Sequence, residues 1–171
     1  MKKLLFIFTT ILLFSVSFNA NAQKGSIVDI AVGNENFSTL VTALKAADLV
    51  SALQGDGPFT VFAPTNAAFG KVDGKALNAL LQPENKKQLA MVLTYHVVPA
   101  KLTASDVVAA LKKGNGKAVV TTLAGQALTV VQKDGKIWLK DQNGNYSQIS
   151  STDIMASNGV IHVIDDVVMP K

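Results

Sequence analysis

His96 and His162 are the only side chains in the sequence suited to proton transfer near neutral pH, and no cysteine is present to join them at a metal. A closed zinc site built on them would need carboxylates to complete it. His96 falls seven residues after Leu89, on one helix face with Val92 and Leu93. His162 interrupts the apolar run from Val160 to Ile164. Both read as hydrogen-bonded core histidines, not as ligands or bases. Asp165 and Asp166 are adjacent, and neighbouring side chains on an extended chain point to opposite sides, a poor arrangement for an acid–base pair. No serine stands in a G-x-S-x-G elbow. The glycine pairs at 55–57 and 114–116 are turn signals, not phosphate loops. Thr65 stands where a helix begins and reads as its cap, not as an anion site. These residues predict no enzyme, no metal and no cofactor.

The elements that position them change period near the middle of the chain. Ser26 with Asp29 makes a capping box for a helix reaching Val32. Phe37, Leu40, Val41 and Leu44 mark one helix face, and the pattern runs on, with or without a break, to Leu53 before Gly55 and Gly57. Phe59 to Ala63 is a short strand stopped by Pro64, and Thr65 caps a helix through Phe69. Lys75 to Leu81 is a further helical piece. Pro83 suits the first turn of the helix that carries His96, and Pro99 forces the chain out of helix by Val98. Thr103 with Asp106 caps another helix, closed by Gly114. From Lys117 the period is two. Ala118 to Leu123, Leu128 to Gln132, Lys136 to Lys140 and Tyr146 to Ser150 read as strands, with turns at Asp134-Gly135 and Asn143-Gly144. Val160 to Ile164 reads as an inner strand. The result is one α+β domain over residues 23–171, its helices on one side of a sheet or sandwich.

Residues 1–22 read differently. Lys2 and Lys3 precede an apolar run from Leu4 to Phe18, and Ala20-Asn21-Ala22 fits a cleavage site. This is the pattern of a secretory signal peptide, so an exported protein, extracellular or periplasmic, is expected. The 16 basic residues are all lysine against 12 acidic ones; without Lys2 and Lys3 the balance is 14 against 12. That is too even, and too poor in arginine, for a nucleic-acid binder. No later apolar run reaches membrane length, so no membrane span is expected in the mature chain. Asn36-Phe37-Ser38 and Asn145-Tyr146-Ser147 match the glycosylation acceptor pattern, and the bacterial look of the signal segment makes both chance matches.

Two runs carry more information than their chemistry. TVFAPTNAAF, Thr60 to Phe69, resembles the first signature of the fasciclin-type domain, and NGVIHVIDDVVMP, Asn158 to Pro170, resembles the second. Tyr95-His96 between them resembles the family's Tyr-His landmark, and all three stand in family order. The resemblance covers about Ser26 to Pro170. It implies a wedge-shaped β-sandwich with a helical cluster on one side. It also implies a structural role for Thr60, Phe62, Pro64, Thr65, Asn66, Phe69, Tyr95, His96, Asn158, Gly159, His162 and Asp165. His96 is expected to tie its helix to the first signature near Thr65 and Asn66. The implied function is secreted and non-catalytic: a monomeric binding module in cell adhesion or extracellular matrix association, with a surface or matrix protein or polysaccharide as partner. Asp153-Ile154-Met155 is similar to the Asp-Ile-Met core of an integrin-binding motif in animal matrix members, although Ser151-Thr152 stand where the family form has Glu-Pro. On a regular strand Ile154 faces opposite to Asp153 and Met155, so Asp153 is expected near the surface and Ile154 buried. The alternative is a carrier of a small apolar ligand in the cell envelope, which needs an apolar pocket of roughly several hundred Å3.

Overall fold

The computed structural model describes residues 25–171; the segment read as a signal peptide lies outside them. The first half is helical. α1 (Ile27–Val32) begins at a reciprocal capping box between Ser26 and Asp29. A 3-10 turn, Glu35–Phe37, leads into α2 (Ser38–Ala46), and Asp48 at φ 59° breaks the apolar pattern before α3 (Val50–Gln54). β1 (Phe59–Pro64) is followed by α4 (Asn66–Gly70), α5 (Gly74–Leu80) and α6 (Lys86–Tyr95). Pro83 does not start α6 itself but a separate 3-10 turn, Pro83–Asn85, before it. α6 stops one residue short of His96, and β2 (Val97–Val98) then pairs with β1. α7 (Ala104–Lys113) starts at the capping box of Thr103 and Asp106.

The remaining strands are β3 (Lys117–Thr121), β4 (Ala127–Lys133), β5 (Lys136–Lys140), β6 (Tyr146–Ala156) and β7 (Gly159–Ile164). β3 ends before Thr122, whose N–H and hydroxyl both turn onto the Gln126 carbonyl. β6 does not stop at Ser150; it runs eleven residues and bends through two register shifts, at Ile149/Ser151 and Ser151/Ile154. Asp165 and Asp166 lie in a bend after β7 and not on a strand.

The seven strands run in the order β2-β1-β7-β6-β5-β4-β3. β1 and β7 are parallel, from Phe59 opposite Gly159 to Pro64 opposite Ile164, and the other pairings are antiparallel. The far edge returns towards the first. Leu123 N–H donates to the Val97 carbonyl at 2.7 Å, and the Tyr95 hydroxyl donates to Ala127 O at 3.0 Å. The sheet is thus bent into the two layers of a sandwich, and the fold is α+β.

Both faces of β1 and β7 are covered, which explains their near-continuous apolar sequences. On one face Val61, Ala63 and Ile161 pack under Leu40, Leu44, Phe69, Leu89 and Leu93 of the helical layer. On the other, Phe62 and Ile164 meet Leu128, Val130 and Leu139 across the sandwich. Helix α7 stands apart from the other six and closes this second core with Val107 and Leu111.

Candidate functional site

The residues with chemical potential are occupied by structural bonds. The Thr60 hydroxyl donates to Ala100 O at 2.6 Å and accepts from Leu102 N–H at 2.8 Å, fixing the segment after β2. Thr65 caps α4 by accepting from Ala68 N–H. Asn66 accepts from Thr39 N–H and donates to Glu35 O and the Ser38 hydroxyl, so it holds the start of α2. Pro64 closes β1, and Phe69 is buried in the helical core.

His96 is buried, with both ring nitrogens engaged. Nδ1–H donates to the Val92 carbonyl at 2.8 Å, and Nε2 accepts from Val168 N–H at 3.3 Å. One neutral tautomer satisfies both bonds. Burial pushes its pKa down to about 4, against the raising effect of the Val92 carbonyl. The expected tie to Thr65 and Asn66 is absent. The ring instead holds the chain after β7, and it is the His96 carbonyl that accepts from Phe62 N–H at 2.9 Å, within the first signature. Those two residues are already committed to α4 and α2. The adjacent Tyr95 hydroxyl has its pKa raised, mainly by burial and secondarily by the charge of Asp141.

His162 makes the complementary use of its ring. Nε2–H donates to Leu102 O at 2.7 Å, Nδ1 accepts from Asp153 N–H at 3.3 Å, and the ring stacks on Phe62. Neither histidine has a nitrogen left for a metal. Among the described residues no cluster of three or more His, Asp or Glu could hold one.

Asn158 is the hub of the second signature. Its side chain accepts from Ile27 N–H at 3.0 Å and donates to Leu53 O and Gly55 O, each at 2.8 Å. Its own carbonyl accepts from Phe59 N–H. One buried residue, through its side-chain amide and its backbone carbonyl, therefore joins α1, the end of α3 and the start of β1. Gly159 is required by close approach, since a Cβ there would collide with the Phe59 carbonyl. Asp165 contributes backbone: its N–H donates to Gln148 O, and its carbonyl accepts from Lys71 Nζ at 2.8 Å. Sequence reasoning did not find these partners, because they lie up to 131 residues away.

The triplet Asp153-Ile154-Met155 does not alternate as a regular strand would. It begins inside the second register shift of β6, between Ser151 and Ile154, with Asp153 at φ 59°. All three are half-buried, so Asp153 is less exposed and Ile154 less buried than expected. Asp153 Oδ1 accepts from Ala104 N–H at 2.8 Å, in the first turn of α7. Ile154 pairs with Ile161 and packs on the helical core.

The Fasciclin domain family model matches residues 35–170. The chain belongs to the fasciclin family. It is 52% identical over 155 residues to Protein sll1483 of Synechocystis, an alignment covering 91% of this chain and 79% of that protein. It is also 34% identical over 158 residues to the transforming growth factor-beta-induced protein ig-h3 of Sus scrofa, covering 92% of this chain and 21% of that protein. Among solved structures, a FAS1 domain pair from the insect cell adhesion molecule fasciclin I superposes with a TM-score of 0.74 at 18% identity, covering 85% of this chain and 51% of that chain. That likeness concerns the fold.

Two spaces in this fasciclin domain differ in character. An apolar one beside His96, walled by Phe69, Leu89, Leu93 and Met169, holds about 10 Å3. An open depression of about 330 Å3 lies around Lys71, Tyr146 and Asp166, where Lys71 Nζ stands 3.0 Å from Asp166 Oδ1.

Proposed function

We propose that the protein is an exported, non-catalytic binding module that attaches to a protein or polysaccharide of a cell surface or matrix. The observation that carries the non-catalytic half is the full engagement of both histidine rings in bonds that hold layers together. A general base must reach a substrate proton, and neither ring has a nitrogen to offer. The adhesive half is supported by family membership and by likeness to a domain pair from a cell adhesion molecule. Export is supported by the signal-like residues 1–22, and no helix among the described residues is long and apolar enough to cross a membrane.

Asp153-Ile154-Met155 enters this reading as a protein-contact site of limited reach, with one carboxylate oxygen already committed to α7. The carrier alternative is disfavoured by the apolar space beside His96, which is too small for more than about one water. The test is a pull-down with the tagged mature protein against its own cell envelope and culture matrix. Specific retention that disappears on thermal unfolding is expected; the absence of any retained component would sink the reading.

A further inference from the structure

Strand pairing places one set of side chains on the outer face of the β3–β6 layer, away from the sandwich core. The register sets Lys117 beside Val131 and Val131 beside Trp138, and it sets Thr129 beside Lys140 and Lys140 beside Tyr146. Lys133 pairs with Lys136 at the hairpin end of the same face. Four lysines therefore share this face, and no ladder position on it is Asp or Glu. Like charges directly opposite each other weaken a sheet. Protection of an exposed edge does not account for them, because Lys136 and Lys140 stand on β5, an inner strand of the sheet.

Two aromatic rings lie among the lysines. Tyr146 is 46% exposed, with Lys140 Nζ held 5.4 Å from its ring centre. Trp138 is half-buried, with part of its ring open to this face; its indole Nε1–H points inward, is itself buried, and has no acceptor among the described residues. Such an orphan donor calls for an explanation. Trp138, Tyr146, Lys133 and Asp134 wall a depression of about 160 Å3.

We propose that this face binds an acidic polysaccharide, with sugar rings against Trp138 and Tyr146 and anionic groups against Lys117, Lys133, Lys136 and Lys140. The assignment rests on the adhesive reading above and names its partner class and site. Against the one carboxylate in the depression, Asp134, the four lysines leave the face net positive, which favours an anion and repels a second copy of the same face. Aromatic side chains with one polar end suit a partner that is apolar on its ring faces and rich in hydroxyls at its edges. The absence of arginine disfavours nucleic acid.

Trp138 is the only tryptophan in the sequence, so its emission reports on this site directly. Mature protein is titrated with polygalacturonate, dextran sulfate, neutral dextran and duplex DNA. A saturable emission change is expected with polygalacturonate or dextran sulfate and none with neutral dextran; which of the two responds assigns carboxylate or sulfate. Lys136→Gln with Lys140→Gln should weaken binding about tenfold or more through two lost charge-assisted contacts, with a melting temperature no lower than that of the wild type, since it relieves the Lys133–Lys136 repulsion. Lys86→Gln with Lys87→Gln, the same charge loss on α6, should leave it within about twofold. No response to either acidic polysaccharide, equal weakening by both lysine pairs, or tighter binding to DNA overturns the proposal. Envelope retention by the wild type without polysaccharide binding overturns this site and leaves adhesion standing. Polysaccharide binding without envelope retention supports this site and sinks adhesion.

Discussion

His96 makes the stability of the fold depend on acid. Its folded pKa is about 4 against an ordinary value of 6.5, so between those values the unfolded chain binds the extra proton. The contribution is fully present above pH 6.5 and is lost as pH falls through this window, to a total of about 3 kcal/mol. His96→Gln should flatten the loss between pH 6.5 and 4 in urea titrations; an unchanged slope would place the dependence elsewhere. Asp29 and Asp106, both held below the usual carboxylate range by their capping hydroxyls and backbone N–H groups, lose their part only at lower pH. Asp153 tests a different balance. Its carboxylate holds the Ala104 N–H, and its backbone is left-handed at φ 59°. Asn keeps an acceptor and tolerates that conformation, Gly relieves the backbone but loses the bond, and Ala loses on both counts. Melting temperatures should therefore fall in the order Asp, Asn, Gly, Ala. If Asp153→Ala melts like the wild type but loses retention on matrix, the carboxylate is a contact and not a brace.

At the scale of elements, the turn from β6 into β7 is the joint on which the helical layer depends. Asn158→Ala leaves the Ile27 N–H and the Leu53 and Gly55 carbonyls without partners, and should cost about 3 kcal/mol or more. Ser157→Ala, one residue earlier and exposed, should cost under about 0.5 kcal/mol. Comparable losses from the two would remove Asn158 from its central place. The elements set by neighbours in sequence were legible from it: the capping boxes at Ser26 and Thr103, the cap at Thr65, and the period-two strands with their Gly turns. Those set by distant partners were not. The strand around Ile154 does not read as one with Tyr146 to Ser150, because its partner there is β7 and a bulge hides the alternation. β2 is two residues long and exists only because β1 lies beside it. The Lys136-Ile-Trp-Leu-Lys140 alternation was visible, but that Lys117, Lys133 and Tyr146 share its outer face needed the register. The His96 contact was placed on the wrong segment for the same reason, since Val168 is 72 residues away.

At the scale of the whole molecule, export predicts a processed chain. Intact mass of secreted protein should correspond to a start at Gln23, and recovery of the full-length chain in the membrane would contradict it. The parallel pairing of β1 with β7 has a consequence for that passage. β1 finds one neighbour, β2, within 40 residues, but its other neighbour lies 100 residues further along, and Asn158 closes bonds to Ile27, Leu53 and Gly55 from 103 to 131 residues away. Until the final strand is available, the helices have only β1 and β2 to lay over their apolar floor, through Val61, Ala63 and Val97, and the contribution of Ile161 is missing. Such long loop closures are slow to form by themselves. The order of the strands thus acts as a timer: the helical layer is locked only when the last strand arrives, which would keep an exported chain soft in transit.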